Sequence, residues 1–235
     1  MGRRVKFKKH FFYFGFWTIL IVSFLFFAFL IVLKANGYQL NWRYWRIQKT
    51  GMIILNGEPR DVEIKINQKY LQGFPLRLAN QTPGTYEITV AREGYYTWQK
   101  VYEVLPGKAI SSTSILLFLN EARENDSTKS LTAQKILDEY QNITRGLEIR
   151  EKELYWQNEL MTRFGSPILA AGLYPDNQHF VCQVNNEIRV LDLDGSNNFL
   201  LFKLSSYEPT IFTFKDNGRT IIYLDDGQIR AKTIR

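Results

Sequence analysis

The sequence predicts a mainly β protein carried on one N-terminal transmembrane helix. Three observations lead there: an uncharged apolar stretch behind a basic head, many short runs of alternating apolar and polar residues, and turn chemistry between those runs. The 235 residues are 45% hydrophobic and 15% aromatic, too rich in large apolar groups for a disordered chain. One Cys excludes an intrachain disulfide, and one Cys with two His excludes a Cys/His zinc site.

Arg3, Arg4, Lys6, Lys8 and Lys9, in a basic tail over 1–10, supply five charges of the net +7, so the rest of the chain is near neutrality. A near-neutral surface offers no phosphate-tracking groove, and nucleic acid is not an expected partner. Residues 11–33 carry no charge at all, and a helix of that length reaches about 35 Å, enough to cross a bilayer. No small-x-small cleavage site follows, so the stretch reads as a retained signal anchor. The basic head keeps the N-terminus cytoplasmic and sends the residues after the span outward, a bias that Lys34, Arg43, Arg46 and Lys49 reduce. Trp17 in the span, with Trp42 and Trp45 in the aromatic and basic segment 34–49, complete the expected membrane anchor. With eight Phe and only Gly15 in the span, no small-residue dimer seam is present.

Over 50–119 the pattern is strand and turn. Met52-Ile53-Ile54-Leu55 leads to the turn Asn56-Gly57-Glu58-Pro59, then to the alternating strand Val62–Asn67. Gly73-Phe74-Pro75-Leu76-Arg77-Leu78, the turn Thr82-Pro83-Gly84, the strand Thr85–Val90 and the turn Arg92-Glu93-Gly94 come next. Strands from Tyr95 to Val104 and from Ala109 to Leu119 close the segment, whose size and strand count predict a small antiparallel sandwich. This segment resembles a PEGA domain. The resemblance rests on Gly57-Glu58-Pro59, Val62–Asn67, Gly73-Phe74-Pro75-Leu76, Pro83-Gly84-Thr85-Tyr86, Gly94-Tyr95 and Trp98, with Pro-Gly-x-Tyr followed by Gly-Tyr its most specific part. It implies a surface or envelope setting in a prokaryote and no catalytic residues.

Residues 120–146 read as a linker with an amphipathic helix, capped by Ser130 and carrying Leu131, Ile136, Leu137 and Tyr140 on one face. Over 147–235 alternating strands resume. Tyr155–Leu160, Val181–Arg189 and Ile222–Arg230 align as strand, tight polar turn and strand, and Tyr174–Asn177 and Phe214–Gly218 precede the later two as hairpin signals. This weak repeat resembles blades of WD-type or TolB-type β-propellers, but the remaining length is too short for a closed ring, so β-propeller-blade-like sheets with an incomplete ring are expected.

Chemistry-bearing motifs are sparse. His179 reads as a solvated loop residue, and nothing like Gly-x-Ser-x-Gly surrounds a Ser. Cys182 lies mid-strand and reads as a small core residue. Asp192–Asn197 and Asp225-Asp226-Gly227 have oxygen-rich side chains but read as turns, since neither offers the ligand count calcium needs. No cofactor or metal is expected. The expectation is a non-enzymatic, single-pass protein that binds or scaffolds outside the cytoplasmic membrane, its partners being the lipid bilayer and cell-wall polysaccharide or envelope proteins. An envelope enzyme acting on cell-wall polysaccharide, and a subunit completed by partner blades, are the alternatives. Tyr95, Tyr96 and Trp98 form the candidate recognition surface, with Tyr96 and Trp98 on one strand face and Tyr95 on the other; only one set can be core, and the larger set also reads simply as core.

Overall fold

Alternating hydrophobicity and turn residues produce, among the described residues, twenty strands, two α-helices and one short 3-10 turn. The computed structural model describes residues 4–41, 46–125 and 132–235, with side chains given for 13–39 and from 46 onward within those ranges. Arg3, Trp42, Trp45, Ser130 and Leu131 lie outside the described residues, as do the side chains of Arg4, Lys6, Lys8 and Lys9.

Helix α1 (Arg4–Ala35) contains the 23-residue stretch Tyr13–Ala35, long and apolar enough to cross a membrane, with none of it buried inside the protein. Phe14 and Ile19 are 80% and 72% exposed, as suits side chains that hydrocarbon rather than water surrounds. Past the expected end at Leu33 the helix runs on to Ala35, where Gly37 at φ +77° turns the chain. Strands β1 (Tyr38–Asn41) and β2 (Arg46–Lys49) then pair antiparallel as a two-stranded sheet.

The sandwich segment holds β3 (Gly51–Glu58), β4 (Glu63–Ile66), β5 (Lys69–Gln72), β6 (Leu76–Gln81), β7 (Gly84–Ala91), β8 (Trp98–Val104) and β9 (Ala109–Leu116). They form a three-stranded sheet ordered β6-β3-β9 and a four-stranded sheet ordered β5-β4-β7-β8. Three local readings change. Asn56-Gly57-Glu58 is not a turn but the end of β3, because Gly57 lets β9 come so close that any Cβ there would lie 2.1 Å from the Ile115 carbonyl oxygen. Strand β5 follows a tight turn at Asn67 (φ +53°) that its polar sequence concealed. The last strand leaves its sheet at Leu116, and Leu117, Phe118 and Leu119 become buried core instead.

Beyond it come β10 (Arg123–Glu124), α2 (Ala133–Ile143), β11 (Leu147–Arg150), β12 (Glu153–Trp156), β13 (Glu159–Arg163), β14 (Ile168–Leu173), β15 (His179–Val184), β16 (Glu187–Asp192), β17 (Phe199–Lys203), β18 (Phe212–Lys215), β19 (Thr220–Asp225) and β20 (Gln228–Thr233). Three antiparallel sheets result: β11-β12-β13, β14-β15-β16-β17, and β10-β20-β19-β18. No closed ring forms among the described residues. The repeat seen in the sequence is the hairpins β12–β13, β15–β16 and β19–β20, each with a two-residue loop. Positive φ at Gln157 and Asn158, at Asn185, and at Asp226 and Gly227 marks those loops. The linker contributes more than a connection, since β10 pairs with β20 and completes the last sheet.

The α2 cap is Thr132 rather than Ser130, accepting from Lys135 N. Ile136 is fully buried with Ile222 and Ala231, and Tyr140 meets Phe212 edge-on at 5.3 Å, so the apolar face of α2 covers the sheet containing β18–β20. Gln183, also fully buried, has every polar atom engaged: Nε2 donates to the carbonyls of Asn185 (3.0 Å) and Glu208 (2.9 Å), and Oε1 accepts from Thr210 N (2.8 Å).

Two compact units emerge, and they cut across the sequence segments. One comprises Met1–Ile54, Arg77–Thr85 and Glu103–Ser111: the apolar helix, the β1–β2 hairpin and one end of the sandwich strands. The other comprises Leu55–Leu76, Tyr86–Tyr102 and Ser112–Arg235, and merges most of the sandwich with the C-terminal sheets. In this second unit Leu116 and Phe118 join Tyr174, Val190, Phe212 and Tyr223 in one apolar cluster.

Gly218 is a stringent position in that unit. It sits at φ +85°, a Cβ there would lie 2.3 Å from the Tyr174 ring, and its carbonyl accepts the Tyr174 hydroxyl at 2.7 Å. Gly218→Ala is therefore expected to destabilise the protein by roughly 2–4 kcal/mol, from backbone strain plus overpacking. Thermal unfolding of the detergent-solubilised chain checks this, and an unchanged midpoint would contradict the account.

Candidate functional site

Strand β16 ends in Asp192, whose carboxylate is buried, and a buried charge survives only when donors surround it. Asp192 Oδ2 accepts from Trp98 Nε1 (3.2 Å), Asn197 Nδ2 (3.0 Å) and Ser196 Oγ (3.2 Å), while Oδ1 lies 3.3 Å from His179 Nε2. The other imidazole nitrogen, Nδ1, is 2.6 Å from Asp176 Oδ2. Lys100 Nζ adds an ion pair to Asp194 (2.7 Å) and a longer one to Asp192 (3.7 Å). The loop bends around its own carboxylate, with Asp192 N donating to Ser196 O and Gly195 N to Asp192 O. A short polar turn can do this because Gly195 and Asn197 adopt positive φ.

Burial alone would push the His179 pKa down, but the two carboxylates outweigh it and hold the imidazole at about 9. Burial likewise opposes charge on Asp192, yet His179, Asn197 and Lys100 keep its carboxyl below the usual carboxylate range. In this Asp176–His179–Asp192 triad both ring nitrogens of His179 therefore face carboxylate oxygens, which favour its protonated form. An imidazolium gripped by two carboxylates has no free nitrogen to act as a base, so its role is to fasten β15 and β16 to the residues around them.

His179, expected as a solvated loop residue, is thus 3% exposed at the start of a strand. Trp98, expected on a recognition surface, is 2% exposed with its ring nitrogen committed to Asp192. Tyr96 lies flat against Phe199 at 4.7 Å, its hydroxyl donating to Leu200 O at 2.6 Å. Tyr95 is half-buried beneath the Arg92 guanidinium, 5.1 Å from the ring centre. Of the candidate recognition surface, Trp98 is buried and Tyr96 partly buried, both packed against the C-terminal sheets, as the core reading of that face expects. Asp192–Asn197, read as a turn, spends its oxygens on Trp98, His179 and Lys100. Among the described residues no group of three or more His, Cys, Asp or Glu is arranged to hold a metal ion. Cys182 is fully buried, which pushes its thiol up to about 12.

Next to the triad lies a cleft of about 390 Å³ lined by Asn56, Glu58, Arg60, Ser114, Asp176 and Arg235, among others. Lining it, the Arg235 side chain is 9% exposed; Nη1 donates to Glu58 Oε2 (3.1 Å) and Nη2 to Asn217 O (2.8 Å), while Nε has no hydrogen-bond partner among the described residues. Asp176 serves both features, lining the cleft and holding His179. Of the charged residues lining the cleft, Glu58 is paired with Arg235 and Asp176 with His179. Arg60, exposed, has no ion-pair partner among the described residues. The sequence marked Asn56, Glu58 and Asp176 only as turn residues, and Arg60, Ser114 and Arg235 not at all, because each is ordinary until the fold brings it to the others.

The seven-stranded segment with its Pro-Gly-x-Tyr hairpin is what a family comparison recognises. Residues 50–116 match the PEGA domain. The match covers less than a third of the chain and stops where the strand leaves its sheet, so the buried Leu117-Phe118-Leu119 run lies just beyond the PEGA segment. Trp98 lies within the PEGA segment, and its partner Asp192 lies far outside it. A comparison with curated proteins finds none that matches the chain.

Two expectations follow from this geometry. His179 is raised from 6.5 to about 9, so its stabilisation is whole below about pH 6.5 and is lost as pH rises through about 9. Asp192, lowered from 3.8, adds a loss below that value. A pH series of unfolding midpoints should fall on the alkaline side for the native protein and be flatter there for His179→Gln. Trp98→Phe keeps the apolar bulk but removes a donor from a buried carboxylate, and should cost about 1–3 kcal/mol in a denaturant titration.

Proposed function

We propose that this chain is a non-enzymatic, membrane-anchored binding protein of the cell envelope, with the basic head cytoplasmic and the β domains outside. The apolar helix and the PEGA segment support that placement. On this reading the three C-terminal sheets are propeller-type blades, and the last is finished by a strand, β10, borrowed from upstream. The bound partner is an acidic envelope polysaccharide, held in the cleft beside the Asp176–His179–Asp192 triad.

The observation that carries the reading is the cleft's electrostatics. Its other charges are matched internally, which leaves the Arg60 guanidinium to meet a carboxylate or phosphate. The hydroxyls of Thr113 and Ser114 and the amides of Asn56 and Asn217, all exposed at the same cleft, suit sugar hydroxyls. The triad fixes one wall, so the site is pre-formed.

The test is retention of the full chain, in detergent micelles, on isolated cell-wall polysaccharide and on detergent-solubilised envelope proteins. Trp98 is unsuitable as the mutated residue because it is core; Arg60→Ala and Ser114→Ala alter the cleft alone. Polysaccharide retention is expected to weaken about tenfold in Arg60→Ala, the equivalent of one lost charge-assisted contact. Retention of envelope proteins with none on polysaccharide, unaffected by either substitution, would replace the binding reading with a scaffolding one.

A further inference from the structure

The segment between the apolar helix and the sandwich is closed on itself. Gly37 O accepts from both Thr50 N (2.8 Å) and Thr50 Oγ1 (2.7 Å), so Thr50 is pinned where the helix stops. Thr50 O accepts in turn from Gly107 N (2.9 Å), and Met52 N donates to Lys108 O (3.0 Å), which fastens the Leu105–Lys108 turn at the same place. Strand β1 therefore leaves the helix end, and β2, paired antiparallel with it, returns there.

Chain length places that hairpin. The apolar stretch ends at Ala35 and β1 starts at Tyr38, a path that spans at most about 10 Å when fully extended. The headgroup layer beyond the hydrocarbon is itself roughly 5–8 Å deep on each side. The base of the hairpin consequently starts within or against it. Among the described residues β1 and β2 form a two-stranded sheet with no third strand, and Arg46, Ile47 and Lys49 are all exposed. An isolated ribbon of this kind is at best marginal in water, and Ile47 at 53% and Tyr38 at 38% exposure leave apolar surface uncovered.

Charge selects the kind of surface. Between Lys34 and Gly57 there is no acidic residue. Lys34, Arg46, Lys49 and Lys108 are exposed and have no ion-pair partner among the described residues. Basic groups around exposed apolar side chains suit anionic lipid headgroups over an acyl boundary.

We propose that the β1–β2 hairpin and the Leu105–Lys108 turn form a foot that lies in the headgroup layer and binds anionic lipids through Lys34, Arg46, Lys49 and Lys108. The foot, with the Thr50 clamp, holds the helix-bearing unit on the membrane surface in place of a flexible tether. This is independent of what occupies the cleft.

The full chain in lipid nanodiscs tests it. Cys182 is fully buried, so a fluorophore can be directed to Ile47→Cys in the foot or to Tyr207→Cys, a control that is 68% exposed in the other unit. The label at 47 is expected to be quenched by lipids spin-labelled near the headgroup and protected several-fold from aqueous iodide relative to the label at 207. That protection is expected to grow when phosphatidylglycerol is mixed into phosphatidylcholine and to fall in the Arg46→Glu/Lys49→Glu variant. Iodide quenching at 47 equal to that at 207, or lipid quenching indifferent to both phosphatidylglycerol and charge reversal, would overturn the proposal.

Discussion

A carboxylate removed from water must be given back the hydrogen bonds and countercharge that water supplied, and the Asp192 carboxylate receives them from residues scattered along half the chain. Trp98 and Lys100 come from the sandwich strand β8, His179 from β15, and Ser196 and Asn197 from the loop that Asp192 begins. No subset of these satisfies it alone. The merger of PEGA strands with C-terminal sheets in one compact unit depends on this meeting point, because removing any partner leaves a buried charge less than fully compensated. Apolar packing supplies bulk around it, through Phe118 against Tyr174 and His179 and through Tyr96 against Phe199. Directional bonds to a fixed charge supply the register, which a greasy contact cannot do as sharply.

That arrangement changes how the aromatic residues of the PEGA segment are understood. Exposed aromatics on a sheet face are natural candidates for ligand recognition, and in an isolated sandwich Tyr96 and Trp98 would be such a face. Here the rest of the chain has already taken them. Polar residues line a cleft of the same unit, where Arg60 has no ion-pair partner among the described residues and Asp176 is held by His179. The C-terminal sheets, which form no closed ring among the described residues, are covered in part by α2 and by β10, both supplied by what reads in sequence as a linker.

Much of the fold was legible because it rests on local patterns. The apolar stretch of α1, the alternation in β3, β4 and β7, and the polar two-residue loops of the three repeated hairpins are each set by neighbours in the chain. Local reading failed where a distant strand decided the outcome. Gly57 reads as a turn residue and is strand because β9 passes against it; Leu117–Leu119 read as strand and are core because they leave their sheet. His179 shows the same limit for the site: the pattern of residues around it is that of a loop, and nothing nearby announces two carboxylates, one of them on the far end of the next strand.

The sequence by itself determined the apolar N-terminal helix, the β character, the sandwich segment and the repeated hairpins, since hydrophobic period and turn chemistry act over a few residues at a time. Only the tertiary structure decided that Tyr96 and Trp98 pack against the C-terminal sheets, that His179 is buried between two carboxylates, and that Arg60 and Arg235 border one cleft. Burial, countercharge and cleft formation belong to contacts between residues far apart in sequence, such as Trp98 and Asp192, and those contacts exist only once the chain has closed on itself.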